Sequence, residues 1–243
     1  MKNRCILFLI LFELLIFKNA SSQYARIELW SDTSKLKTSD EINLVKSVEI
    51  YEISANEGDV FSEEYFSELL YGKFVSFTFF KMKVDEKLLS YIKNIQSEHL
   101  IFNDCVFNDS ILNFNNKHIL YLELNSCNIK RIGTSIRRIK QLKALSIRSS
   151  NIELLPNWIF KLKKLNLLDL TENPISNLDK VLRKNSQLKH LKLQSNDLEY
   201  EDVSRIPCML TGLVSLQIRS NNFNCDEFKR RHDTSKYEFS VCD

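Results

Sequence analysis

The chain of 243 residues carries 34 basic and 31 acidic side chains, a net +3, with only four glycines, four histidines and six cysteines. So few glycines leave no Gly-rich phosphate loop. No Cys-x-x-Cys pair or nucleophile motif is present either, so the common catalytic constellations cannot be assembled. Charge is uneven along the chain: residues 23–119 hold 16 acidic and 10 basic side chains, whereas 120–212 hold 9 and 16.

In chain order, the first feature is a secretory-type leader. Lys2 and Arg4 precede an apolar run from Cys5 to Phe17 broken only by Glu13, and Ala20-Ser21-Ser22 supplies small residues for cleavage before Gln23. The run is short for a bilayer span, and no later segment approaches the roughly 18 uninterrupted apolar residues a span needs. The reading is a signal peptide over 1–22, the alternative being an uncleaved anchor or a chance apolar start. Residues 23–44 hold no cysteine and are read as an N-terminal capping segment, with Ile27, Leu29 and Trp30 as its packers. Phe61, Tyr65, Phe66, Leu69 and Leu70 recur at helical spacing behind Ser62, Glu63 and Glu64, which predicts a capped helix.

A repeated pattern then dominates. Leu165-x-x-Leu168-x-Leu170-x-x-Asn173-x-Ile175 returns as Leu188, Leu191, Leu193, Asn196, Leu198, and again as Leu213, Leu216, Ile218, Asn221, Phe223. Weaker copies start at Leu142, Ile119, Ser97 and Phe74, with starts spaced 22 to 25 residues apart from Phe74 onward. A first copy is read at Val45, Val48, Ile50 and Ile53. The alternation inside each copy predicts a short strand with its fourth and sixth positions inward. One such unit cannot cover its own apolar face, so stacked units must share a core under one parallel sheet. The inward column is expected to run Val48, Phe77, Leu100, Leu122, Leu145, Leu168, Leu191, Leu216. The ninth position lies at the turn leaving the strand, where an asparagine can satisfy buried backbone groups. Cys105, Cys127 and Ser150 hold that position in earlier copies.

This pattern resembles the leucine-rich repeat family. The resemblance implies an α/β solenoid: a right-handed horseshoe with a parallel concave sheet and an irregular, short-helical convex side. About eight repeats over 45–223 are followed by a cap over 224–243. Asn224-Cys225 and Cys242 resemble a reduced form of the cysteine cap of extracellular members, which implies a Cys225–Cys242 disulfide. That bridge would close a loop of about 17 residues, worth roughly 3 kcal/mol in the chain-entropy model. Cys105 and Cys127 occupy equivalent sites in adjacent repeats. They are read as buried thiols, with a bridge between them as the alternative. Cys208 is also read as a buried thiol, with an intermolecular bond left open. A leader, a short array and an abbreviated cap together look like short secreted leucine-rich proteins of insects, among them the mosquito leucine-rich immune proteins. That likeness implies a role in innate defence.

Function is expected on outward-facing strand positions. Tyr51, Phe80, Ile101 and Tyr121 fall there, with Glu123 and Arg148 beside them, and together they form the expected partner-binding surface. Asn108-Asp109-Ser110 is an acceptor for an N-linked sugar at Asn108. A basic ridge recurs as Arg137, Arg138 and Lys140, then Lys161, Lys163 and Lys164, then Arg183 and Lys184. It reads as a solvated flank or, alternatively, as a holder of an anionic group. The sequence calls for no enzyme activity, cofactor, metal or nucleic acid. It points to a secreted, extracellular protein that binds a protein or a microbial or glycan ligand. A matrix-type structural role and inhibition of a secreted enzyme are the alternatives.

Overall fold

The computed structural model describes residues 26–29, 52–55, 73–109, 111–185 and 187–237, with side chains from Ser76 onward. The strands, in chain order, are β1 (Arg26–Leu29), β2 (Glu52–Ala55), β3 (Lys73–Phe80), β4 (Lys83–Val84), β5 (Gln96–Asn103), β6 (Val106–Phe107), β7 (Ile111–Leu112), β8 (Tyr121–Asn125), β9 (Arg131–Ile132), β10 (Ala144–Arg148), β11 (Leu167–Asp169), β12 (His190–Lys192) and β13 (Ser215–Gln217). Among the described residues, nine of them form one sheet in the order β1-β2-β3-β5-β8-β10-β11-β12-β13. The remaining four pair as β4-β6 and β7-β9. Every pairing is parallel.

The register carries the expected inward column from β3 onward. Phe77 pairs with Leu100, Leu100 with Leu122, and the row continues through Leu145, Leu168, Leu191 and Leu216. All seven side chains are fully buried. The first copy is where the reading fails. Ile53, not Val48, stands beside Phe77, and Ile27 stands beside Ile53. The expected frame was therefore five residues early, and Arg26–Leu29, within the segment read as a cap, forms the strand at the edge of the sheet. The error has a physical source: Val48 and Ile50 make as good an alternating apolar pair as Ile53 and Ala55, and no asparagine marks the turn. The helix expected over residues 61–70 lies outside the described residues.

The core changes character along the solenoid. Its first described repeats are aromatic: Phe77 and Phe79 sit 4.9 Å apart by ring centroid, Phe79 stacks on Phe102 at 5.0 Å, and Phe107 meets Phe102 edge-on at 5.2 Å. Later repeats use leucine and isoleucine in the same rows.

The ninth-position ladder holds as expected. Asn173 Nδ2 donates to the carbonyls of Ile147 (2.8 Å), Leu170 (3.1 Å) and Thr171 (3.1 Å), while its Oδ1 accepts from Ile152 N (3.2 Å). Asn196 and Asn221 repeat the arrangement one and two turns on. Cys105 and Cys127 stand in weakly: each thiol donates to a carbonyl of the preceding repeat and to one two residues back, at 3.4–3.6 Å. Both are free and buried. The neighbouring Cys105 thiol, first, and burial push the Cys127 thiol above its ordinary range.

The residue before each slot has left-handed backbone. Lys81, Asp104, Ser126, Ser149, Glu172, Ser195 and Ser220 have φ between 47° and 59°, and none is glycine. Each such residue costs roughly 1–2 kcal/mol. From Asp104 onward the turn is held in place by the side-chain hydrogen bonds of the slot that follows.

The convex side has short helices, as expected: Glu86–Ile92, Leu178–Val181, Tyr200–Ser204 and Ile206–Met209, with 3-10 turns at Thr134–Arg138 and Ile159–Lys161. Asp85 Oδ1 caps the first helix through Leu88 N at 2.9 Å, and Leu88 and Ile92 bury one face of it. Cys208 differs from expectation. It is exposed, because the helix Ile206–Met209 turns Ile206 rather than Cys208 inward.

The far end is closed by the helix Cys225–Arg231. Asn224 accepts from Asp226 N (2.9 Å) and Glu227 N (3.3 Å), with Asp226 and Glu227 in the first turn and Lys229, Arg230 and Arg231 in the last. Both ends thus complement the helix dipole. Phe228, fully buried, seals the last repeat. Cys225 is disulfide-bonded, and Cys242 lies outside the described residues.

Candidate functional site

Alternation along the strands puts the third, fifth and seventh positions of each repeat on the outer face of the sheet. The rows are continuous. Ser76, His99, Tyr121 and Ala144 share one, and Thr78, Ile101, Glu123, Ser146, Asp169, Lys192 and Gln217 share the next. Phe80, Asn103, Asn125 and Arg148 share the third.

Phe80, Ile101 and Tyr121 fall on three neighbouring strands and three successive rows, so they form a diagonal stripe rather than a compact cluster. All three are half-buried. His99 stacks on Tyr121 with centroids 4.2 Å apart, which covers one face of the tyrosine ring. Burial holds the His99 imidazole below its ordinary pKa, against the opposing pull of Glu123 and Glu98. Glu123 is half-buried next to Ile101. Tyr51 lies outside the described residues.

Arg148 is the site residue with the most defined partner. Its Nε and Nη2 reach Asp169 Oδ2 at 2.8 and 2.6 Å. Lys192 Nζ approaches the same oxygen at 3.6 Å. Asp169 Oδ1 accepts from Thr171 N (3.2 Å) and Thr171 Oγ1 (2.7 Å). A shallow depression of about 340 Å³ lies here, lined by Arg148, Ser149, Asp169, Thr171, Glu172, Lys192 and Gln194. Asp169 and Lys192 were not among the expected site residues. The signal was present: in the outward columns an aspartate is followed one repeat later by a lysine and preceded by Arg148.

The ridge residues Arg137, Arg138, Lys140, Lys161, Lys163, Lys164, Arg183 and Lys184 are all exposed. Asn108 is exposed in a turn, with its backbone N–H bonded to Val84 O at 3.2 Å. Among the described residues, no group of three or more His, Cys, Asp or Glu could hold a metal. His99 and His190 stand four strands apart on the sheet, about 19 Å.

No family model matches the sequence, and no curated protein does. Solved structures do match by shape. A leucine-rich repeat protein of Leptospira interrogans is 17% identical with a TM-score of 0.51, covering 76% of this chain and 46% of its own. The chain has the leucine-rich repeat fold. An internalin of Listeria monocytogenes gives 17% identity and a TM-score of 0.56, with 84% of this chain and 64% of that one covered. The TLR13 chain of a complex with ssRNA13 gives 17% and 0.53, with 81% and 31% covered. The leucine-rich repeat solenoid described here thus spans less than two thirds of each of these chains.

Proposed function

We propose that this leucine-rich repeat protein is a secreted, extracellular binding protein without catalytic activity, and that it docks a protein partner on the outer face of its sheet. The supporting observation is the stripe Phe80–Ile101–Tyr121. Three large apolar side chains stand on outward strand positions with Glu123 and Arg148 at their edge, an apolar centre with a charged rim. Such positions are solvent-facing in a bare sheet, so covering them releases apolar surface from water. TLR13 in its RNA complex illustrates ligand capture on this fold.

The biological setting we infer is innate immune recognition of a protein or microbial ligand, entered through the secretory route. The route implies cleavage near Gln23, a sugar on Asn108 and a Cys225–Cys242 bridge closing the cap. Mass spectrometry and peptide mapping of protein from a eukaryotic secretory host read all three. Among the described residues, no helix is long and apolar enough to cross a membrane. The exposed basic flank favours a second reading, in which an anionic glycan or lipid head group is held along Arg137 to Lys184.

The test is affinity capture from extracellular fluid with the wild-type chain and with the double variant Phe80→Ala/Tyr121→Ala. A partner retained by wild type and lost by the folded variant supports the reading. Equal retention overturns it and turns attention to the flank. Induction of expression on immune challenge separates the immune setting from a matrix-type role.

A further inference from the structure

Asp169 sits at an outward strand position, yet its side chain is only 1% exposed. An ionised carboxylate is strongly disfavoured away from water unless it is paired, so its partners are fixed with it. Oδ1 is taken by the backbone N–H and hydroxyl of Thr171. Oδ2 is taken by Arg148 and approached by Lys192. No acceptor capacity is left for a ligand. Donor capacity is in excess: the guanidinium has five N–H groups and the ammonium three, and the carboxylate engages only part of each.

Both cations remain open to the sheet face, with Arg148 46% and Lys192 30% exposed. They come from strands on either side of β11 and share its carboxylate as a common anchor. Gln194 adds an amide to the same depression.

We propose that Arg148 and Lys192, aimed by buried Asp169, form a carboxylate-binding subsite that takes an acidic side chain of the protein partner. The inference rests on the outer-face docking described above and names the chemistry of one contact in it. Two cations and an amide match the two oxygens of a carboxylate. Glu172, on the rim and hydrogen-bonded by Ser149 Oγ at 2.6 Å, works against a more highly charged phosphate. With Asp169 saturated, Glu172 is the one lining carboxylate left to ligate a cation, against the charge of Arg148 and Lys192. The surrounding segment 120–212, with 16 basic against 9 acidic residues, attracts an acidic partner.

The test needs no partner. The isotope-labelled full chain is titrated with N-acetyl-aspartate amide, with its neutral asparagine analogue and with inorganic phosphate, following the amides of Ser149, Thr171 and Gln194. The expected result is saturable shifts with the acidic probe in the millimolar range, as suits a fragment of this size, and none with the neutral one. Lys192→Gln leaves Arg148 on Asp169, keeps the rest of the spectrum, and should weaken binding at least about fivefold. Asp169→Asn should weaken it too, although it makes the site more positive, because the cations lose their common anchor. Tighter binding in Asp169→Asn would show plain charge attraction and overturn the subsite. So would equal response to the neutral analogue, no saturation by about 50 mM, or preference for phosphate. A partner indifferent to Phe80→Ala/Tyr121→Ala would overturn the docking face and leave this titration unchanged.

Discussion

Arg148 reaches across one strand spacing to close on the carboxylate of Asp169, at 2.6 and 2.8 Å, and leaves that carboxylate with almost no exposure. Breaking this contact from the arginine side leaves a buried charge with only Thr171 and a distant Lys192. Arg148→Gln should therefore destabilise the fold. The arginine is half exposed, so we expect about 1–3 kcal/mol rather than the full cost of an orphaned buried charge. Urea unfolding of the single variant measures it. Asp169→Asn, which removes the charge itself, should cost less, and the reverse order would contradict the burial argument.

Leu167 and Leu168 are sequence neighbours on opposite faces of β11. Leu168 is fully buried in the inward column, whereas Leu167 is half-buried outside. Leu168→Ala should cost about 2–5 kcal/mol through the cavity it opens. Leu167→Ala should cost less than about 1 kcal/mol. Equal losses would mean that the two faces are not distinguished as the register requires.

Ser195 turns the chain out of β12 with φ of 53°, its side chain exposed. A β-branched residue is a steric outlier there. Ser195→Val should lower stability by about 1 kcal/mol or more, and Ser195→Gly should not lower it. Thermal midpoints of the pair, compared with wild type, decide the point.

How much of this was legible in the sequence depends on which groups mark each repeat. Asn173, Asn196 and Asn221 pin the late repeats, because an amide both donates to three carbonyls and accepts one N–H, and no apolar residue can do that. Phe74 onward was framed correctly by the inward column alone. The first copy was not, because Val48 and Ile50 alternate as well as Ile53 and Ala55 do, and alternation alone cannot choose between the two frames. The left-handed turns were invisible, since seven non-glycine residues give no glycine signal. At the site, Phe80, Ile101, Tyr121, Glu123 and Arg148 were named from column position. Asp169 was passed over because its importance lies in burial, and column position reads only direction. Cys208 was misplaced because the short helix Ile206–Met209, which starts around Pro207, rotates it outward.

His99 supplies a pH signature. Burial holds its folded-state pKa below the ordinary value, and Glu123 and Glu98 only partly offset this. The unfolded chain, near pH 6.5 for a free imidazole, takes up the proton first. Stability is therefore fully present above that value and is lost as pH falls through it toward the lower folded-state pKa. His118 and His232 are shifted in the same direction by burial, so they add to the slope. Urea midpoints should drop between about pH 7.5 and about pH 5.5, and His99→Gln should flatten part of that drop. An unchanged slope in the variant would remove His99 from the effect.

The central claim, that a protein partner covers the stripe from Phe80 to Tyr121, is tested most directly by hydrogen exchange of the chain with and without its captured partner. Peptides spanning β3, β5 and β8 should gain protection on binding, extending to Arg148 at the end of β10. Protection confined to the flank segments around Arg137–Lys140, Lys161–Lys164 and Arg183–Lys184, with those strands unchanged, would contradict it.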